Sequence, residues 1–193
     1  LLAAAVVDDR RHIAHRRITV GEHFELEADA LRPLPMERFE VAVVGSNRVD
    51  AKSRVCVRQV HYSVPVRYVR QRLDVRVGAE TIEVLDGARV VAVHARGRNG
   101  DEVLVLDHYL EVLARKPGAM LSATPLARAR ASGSFTATHE RFWAQARRRL
   151  GDADGTRAMV EVLLAHRTMA TDAVVAGMNR ALTAGSVDAQ VVI

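Results

Sequence analysis

Arginine dominates the chemistry available to this sequence. Of 28 basic residues, only Lys52 and Lys116 are lysine, so the other 26 are arginine. A guanidinium stays charged under all ordinary conditions and presents forked donors that match phosphate oxygens. The arginines are concentrated. Between Arg48 and Arg98 eleven basic residues face five acids, a larger excess than the net +5 of the whole chain. Arg54, Cys56 and Arg58 alternate with Val55 and Val57, which puts them on one face of a strand opposite the apolar face. Arg67, Arg70 and Arg72 cluster at the next turn, and Arg76 follows. Arg54, Arg58, Arg67, Arg70, Arg72 and Arg76 are therefore the candidate polyanion-binding residues. Contacts of this kind give salt-dependent affinity for a phosphate backbone whatever its sequence. The competing reading is a solvated basic face in an Ala-, Val- and Arg-rich composition. Concentration of the charge in one stretch favours the polyanion.

Other chemistry finds less support. Cys56 is the single cysteine, which rules out an internal disulfide and a cysteine-based zinc site. His12, His15 and His23 lack a third ligand at helical spacing, and His139 and His166 fall in separate predicted helices. No HExxH motif occurs. Asp107-His108 beside Glu111 has the residue types of a catalytic pair, but no Ser or Cys stands in a GxSxG-like context, and Asp107 reads as a helix cap. Gly45, Gly78 and Gly87 are isolated, so no phosphate-binding loop is present. Tyr62 has the type to stack on a base, yet a core tyrosine with a bonded hydroxyl is the favoured reading. Arg141, Arg147, Arg148 and Arg149 form a second basic patch that suits either nucleic acid or a partner protein.

The periodicity indicates which elements would carry these residues. Residues 1–31 are predicted helical, with Thr19 and Glu22 spaced as a capping box and Phe24 and Leu31 on one face. Arg32-Pro33-Leu34-Pro35 reads as a linker. Residues 40–106 switch to period two: Val55 and Val57, Leu73, Val75 and Val77, Ile82 and Val84, Val91 and Val93 each alternate with more polar neighbours. Asp86-Gly87 marks a hairpin. Short strands at this spacing predict a small β-barrel. Helical period returns from Asp107, with helices over 108–113, 124–132, from Thr136, from Asp152, and over 171–182, and a last turn capped by Ser186. The expectation is an α+β chain: a helical segment and linker over 1–35, a small barrel over 36–106, and a helical tail over 107–193.

Several strings together resemble one family. Leu31-Arg32-Pro33-Leu34-Pro35 is similar to the linker after the catalytic domain of IstA-type insertion-sequence transposases, members of the Mu-like DDE integrase superfamily. The stretch from Arg54 to Val57, continuing through Arg58-Gln59-Val60 to His61-Tyr62-Ser63-Val64-Pro65, resembles their barrel. Leu106-Asp107-His108-Tyr109-Leu110, with Leu113 and Arg115-Lys116-Pro117-Gly118-Ala119, resembles their post-barrel helix and its stop. Phe142-Trp143, Gly155-Thr156-Arg157 and Val160-Glu161-Val162-Leu163-Leu164 resemble their terminal helices.

The resemblance implies a role in DNA transposition. It implies DNA at transposon ends, a transposase oligomer and an AAA+ ATPase helper as partners. The family's catalysis resides in a ribonuclease-H-like domain where three acids bind two Mg²⁺. No acid of this chain matches that triad, and Asp8 and Asp9 are not candidates. The chain is thus expected to be non-enzymatic and to hold no cofactor of its own. Three alternatives stay open: a fragment of an active transposase, a protein-interaction module that binds a transposase partner or the helper ATPase without touching DNA, and a general nucleic-acid-binding regulator. Leu1–Val7 is apolar but far shorter than the ~20 residues a membrane helix needs, and no later window reads as a span or signal. A cytoplasmic location is expected.

Overall fold

A computed structural model describes residues 2–33 and 42–193. The chain divides into two compact units, Leu1–Glu40 and Val41–Ile193. Of the predicted linker, Leu34 and Pro35 lie outside the described residues.

The first unit contains α1 (Leu2–Asp9) and α2 (Val20–Glu27). Thr19 caps α2 as its spacing with Glu22 predicts. The Glu22 amide donates to Thr19 Oγ1 at 3.2 Å, and the Thr19 amide donates to Glu22 Oε2 at 2.7 Å. Phe24, Leu26 and Leu31 remain exposed.

The second unit is α+β. Its strands are β1 (Val43–Arg48), β2 (Arg54–Val57), β3 (Val60–Ser63), β4 (Arg72–Val77), β5 (Thr81–Asp86), β6 (Arg89–Ala95) and β7 (Glu102–Val103). They form a four-stranded sheet ordered β1-β4-β5-β6 and a three-stranded sheet ordered β2-β3-β7. The expected closed barrel is therefore corrected to two open sheets. They share one apolar core that includes Val55, Tyr62, Leu73, Val75, Ile82 and Val84. The opening has a local cause. Between β1 and β2 the chain turns a corner at Asp50, whose carboxylate accepts from the Lys52 and Arg54 amides at 2.8 and 2.9 Å. These bonds, with Ser53 at φ +62, send β2 into the other sheet.

Turn chemistry sets the hairpins. Asp86 pairs with Arg89 around Gly87, at φ +59, as the Asp-Gly signal predicts. The β2–β3 turn is less expected: Arg58 and Gln59 have φ +48 and +64. Both occupy the left-handed region that a two-residue primed turn demands, at a cost of roughly 1 kcal/mol or more per non-glycine residue. Gln59→Gly is accordingly expected to raise the denaturation midpoint, with a gain of about 1 kcal/mol; a lower midpoint in chemical denaturation would contradict this reading of the turn.

One strand has the opposite facing from its pattern. Val91 and Val93 suggest the inward face of β6, but Ala92 and His94 are buried and Val93 is exposed. The β5–β6 register shifts between Val84 and Leu85. A one-residue slip exchanges the faces of a strand. His94 holds the inward position by donating from Nε2 to the Ser63 carbonyl at 2.7 Å.

The helices are α3 (Leu110–Arg115), α4 (Thr124–Ala131), α5 (Ala137–Ala165), α6 (Thr171–Thr183) and α7 (Ala189–Val192). The two helices predicted around residue 151 are joined in α5 by a kink at Gly151, φ +81. Beyond the kink α5 packs against itself. Trp143 Nε1 donates to Thr156 Oγ1 at 3.0 Å, which donates to the Asp152 carbonyl at 2.7 Å. A second core forms here from Leu110, Met120, Leu126, Phe142, Trp143, Met159, Val174 and Met178. Asp188, and not Ser186, caps α7, accepting from the Gln190 amide at 2.9 Å.

Candidate nucleic-acid interface

The structure divides the six sequence-selected arginines by their surroundings. Arg54, on β2, is nearly enclosed, its side chain 12% exposed. It pairs with Asp50 Oδ2 at 2.8 Å and also with Glu102. Burial opposes its charge, but the bonds and field of the two carboxylates prevail and hold the guanidinium above its usual pKa. Arg54 thus ties the β1–β2 corner to β7. Arg76, on β4, sits opposite Glu83 of β5 in the ladder and reaches its Oε2 at 3.2 Å. Both arginines hold carboxylates within the fold.

Arg58, Arg67, Arg70 and Arg72 are exposed, and none is paired with a carboxylate among the described residues. Arg58 occupies the tip of the β2–β3 hairpin. Arg67 lies in a single 3-10 turn over Val66–Tyr68, its guanidinium carbon 4.9 Å from the centre of the Tyr68 ring. Arg70 has φ +70, and its amide donates to the Val49 carbonyl at 3.1 Å. That bond brings it to the Arg48 end of β1. Arg72 stands directly across the β1–β4 ladder from Arg48, also exposed. Like charges opposite one another on adjacent strands repel. Among the described residues the relief within the fold is a hydrogen bond from Arg72 Nη1 to the Ser46 carbonyl, 3.5 Å away. Arg48, Arg70 and Arg72 therefore gather positive charge at one end of the four-stranded sheet.

Sequence reasoning counted Arg48 among the basic residues but did not select it. β1 has no alternating apolar face, so the pattern gives no hint that it is a strand or that Arg48 opposes Arg72. Only the ladder register brings them together.

The polar groups inside the unit are structural. Ser63 Oγ accepts from the Val105 amide at 2.9 Å and shares a hydrogen bond with His108 Nδ1 at 2.8 Å. Ser63 is fully buried and His108 nearly so, which gives this pair no access to a substrate. Burial pushes His108 down to about 4, so it stays neutral at pH 7. Asp107, expected as a helix cap, instead takes Arg167 Nε at 2.7 Å, while Glu111 takes Nη1 of the same arginine at 2.7 Å. Tyr62 is a core residue whose hydroxyl accepts from the Gly97 amide at 2.9 Å. His139 and His166, separate in sequence, meet at 3.2 Å between their Nε2 atoms. The Thr136 amide donates to His139 Nδ1, so the shared proton belongs to His139 Nε2 and a metal would have to displace it. Among the described residues no three His, Cys, Asp or Glu side chains gather as a metal site. No helix among them is long and apolar enough to cross a membrane.

Residues 34–106, the stretch that contains both sheets, match the family of the Mu transposase C-terminal domain. The strand module is thus similar to that C-terminal domain. The chain is similar to the C-terminal region of insertion-sequence transposases. It is 38% identical over 89 residues to a putative transposase for insertion sequence IS408 of Burkholderia multivorans, covering 45% of this chain and 17% of that protein. It is 43% identical over 76 residues to a putative transposase for insertion sequence IS1162 of Pseudomonas fluorescens, covering 39% of this chain and 14% of that protein. A transposase of Aminobacter aminovorans is 26% identical over 175 residues, 88% of this chain and 32% of the relative. The chain thus spans less than a third of the length of these relatives. No solved structure matches it.

Proposed function

We propose that the Val41–Ile193 unit serves DNA transposition in the cytoplasm as a non-catalytic C-terminal part of an insertion-sequence transposase. In this reading the β module contacts the phosphate backbone of transposon-end DNA, and the helical tail supports assembly of a transposase oligomer and contact with an AAA+ ATPase helper. The observation that carries it is the exposed Arg48–Arg72 cross-strand pair, extended by Arg70. Two guanidinium groups held opposite one another gain from a polyanion that relieves their repulsion. Arg58 and Arg67 extend the basic surface, whereas Arg54 and Arg76 hold the strands together. In this reading the Mg²⁺ chemistry of strand transfer belongs to a separate catalytic domain; among the described residues no three His, Cys, Asp or Glu side chains gather to hold a metal.

The experiment is duplex DNA binding by the full chain, followed by fluorescence anisotropy at 50 and 200 mM salt. Arg48→Glu with Arg72→Glu is expected to weaken binding at least tenfold and to make the salt dependence shallower by about two charges. Unchanged affinity and slope would remove the sheet from the interface. A second reading has its own support. β1 ends its sheet, no described strand pairs with its other edge, and Val43 and Val44 on it are 61% and 68% exposed. Such an edge suits strand addition by a protein partner. Pull-down of a transposase partner or helper ATPase without any DNA affinity would favour this interaction module.

A further inference from the structure

The first half of α5 carries its arginines on two faces. Arg147 is neutralised by Asp152, 2.6 Å away, and packs over Trp143. Arg141, Arg148 and Arg149 have no carboxylate partner among the described residues. Helical spacing puts these three, with Gln145, inside an arc of about 100°. Two of the three are nevertheless fixed in place. Arg141 Nη2 donates to Asn179 Oδ1 at 3.1 Å and to Thr138 Oγ1 at 3.3 Å. Arg149 Nη1 donates to the Gly185 carbonyl. Gly185 has φ +70, and a Cβ built there would lie 3.5 Å from Arg149 Nη2. That distance is ordinary contact, so the positive φ, and not the guanidinium, is what favours glycine there.

Neutral oxygens position a guanidinium without cancelling its charge. The nearby acids are committed elsewhere: Glu140 to Arg130, Asp152 to Arg147, Asp154 to Arg157, and Asp188 to the start of α7. The stripe from Arg141 to Arg149 is about 12 Å long at 1.5 Å per residue. A duplex presents a phosphate charge about every 1.7 Å of its axis, so several lie within reach. Gln145 and Asn179, between the arginines, are donors of the kind that meet phosphate and sugar oxygens. They are not the Trp, Phe or Leu that seat a basic helix in lipid.

We infer that this α5–α6 face is a second polyanion-binding surface, and that its ligand is the phosphate backbone of nucleic acid. It stands on residues independent of the Arg48–Arg72 cluster. The test is anisotropy of a fluorescein-labelled 30-base-pair duplex, chosen at roughly the length that spans three helical turns, with the full chain at 50 and 200 mM salt. Arg141→Gln, Arg148→Gln and Arg149→Gln together are expected to lower affinity at least tenfold and to make the salt slope shallower by about two to three. Arg148 has no hydrogen-bond or ion-pair partner among the described residues, so Arg148→Glu alone is expected to weaken binding several-fold at an unchanged melting temperature. Wild-type affinity and slope in the triple variant, or no effect of Arg148→Glu, would overturn the inference. Loss of binding in the Arg48→Glu, Arg72→Glu variant with none in the tail variants would overturn it while leaving the sheet reading intact. A wild-type chain that ignores duplex but binds phosphatidylserine vesicles would overturn both.

Discussion

Gly155→Ala is expected to lower the melting temperature by about 6–12 °C, one of the two largest effects foreseen here. Gly155 lies on the second half of α5, beyond the kink, and is buried. A Cβ on it would lie 2.3 Å from the Arg147 amide nitrogen and 2.5 Å from the Ala146 carbonyl carbon. Those are backbone atoms of the facing half-helix, and they cannot swing aside as a side-chain tip would. Alanine favours a helix over glycine by about 1 kcal/mol, which would stabilise an open site. Here overpacking outweighs it, with a net cost of about 3 kcal/mol, since the halves must separate around Trp143 and Thr156. Gly118→Ala is the control: nothing lies within 4 Å of its added Cβ and its φ is not positive, so no loss is expected. Thermal melts followed by circular dichroism would decide. Equal melting temperatures for Gly155→Ala and wild type would show that α5 does not fold back as described.

Acidification from pH 7 towards pH 4 is expected to cost stability chiefly through two buried histidines. Burial pushes His108 and His139 from 6.5 down to about 4. His139 Nδ1 is also committed in neutral form, accepting from the Thr136 amide, and His108 Nδ1 is bonded to the buried Ser63 Oγ. A depressed folded pKa means that the unfolded chain binds protons first. Stability is full above about 6.5 and is lost as the pH falls towards about 4. At 1.36 kcal/mol per pKa unit, each histidine contributes about 3 kcal/mol. The paired carboxylates act lower: Glu111, held below its ordinary 4.5 by Arg167 against the opposing effect of burial, loses its contribution only under that value. The interval between pH 6.5 and 5 therefore reports the histidines. Urea midpoints measured across it are expected to fall steeply in the wild type and much less in His108→Gln with His139→Gln. A flat wild-type profile, or the same slope in the double variant, would refute the assignment.

Much of the fold is legible in the residues, and the exceptions have identifiable causes. The capping box at Thr19, the turn at Gly87 and the core faces of β2, β4 and β5 follow from local spacing, because each depends on a few neighbouring residues. β1 is illegible since it buries no apolar face; ladder bonds to β4 alone define it. β6 is misread because its pattern cannot reveal the register shift against β5, where Val91 is left unpaired between Val90 and Ala92. The Arg58-Gln59 turn runs against the preferences of both residues and persists because the strands around it fix the geometry.

The sequence by itself determined the α+β class, the positions of most helices and strands, the concentration of arginine, and a likeness to insertion-sequence transposases. The first three are properties of composition or short-range periodicity; the likeness is a resemblance of particular strings. The tertiary structure decided how those arginines divide. It brought Glu102 to Arg54 and Glu83 to Arg76, placed Arg48 across from Arg72, and left Arg141 and Arg149 on neutral oxygens. Whether a charge is cancelled depends on a partner a few ångströms away, and for most of these residues that partner is distant in the chain.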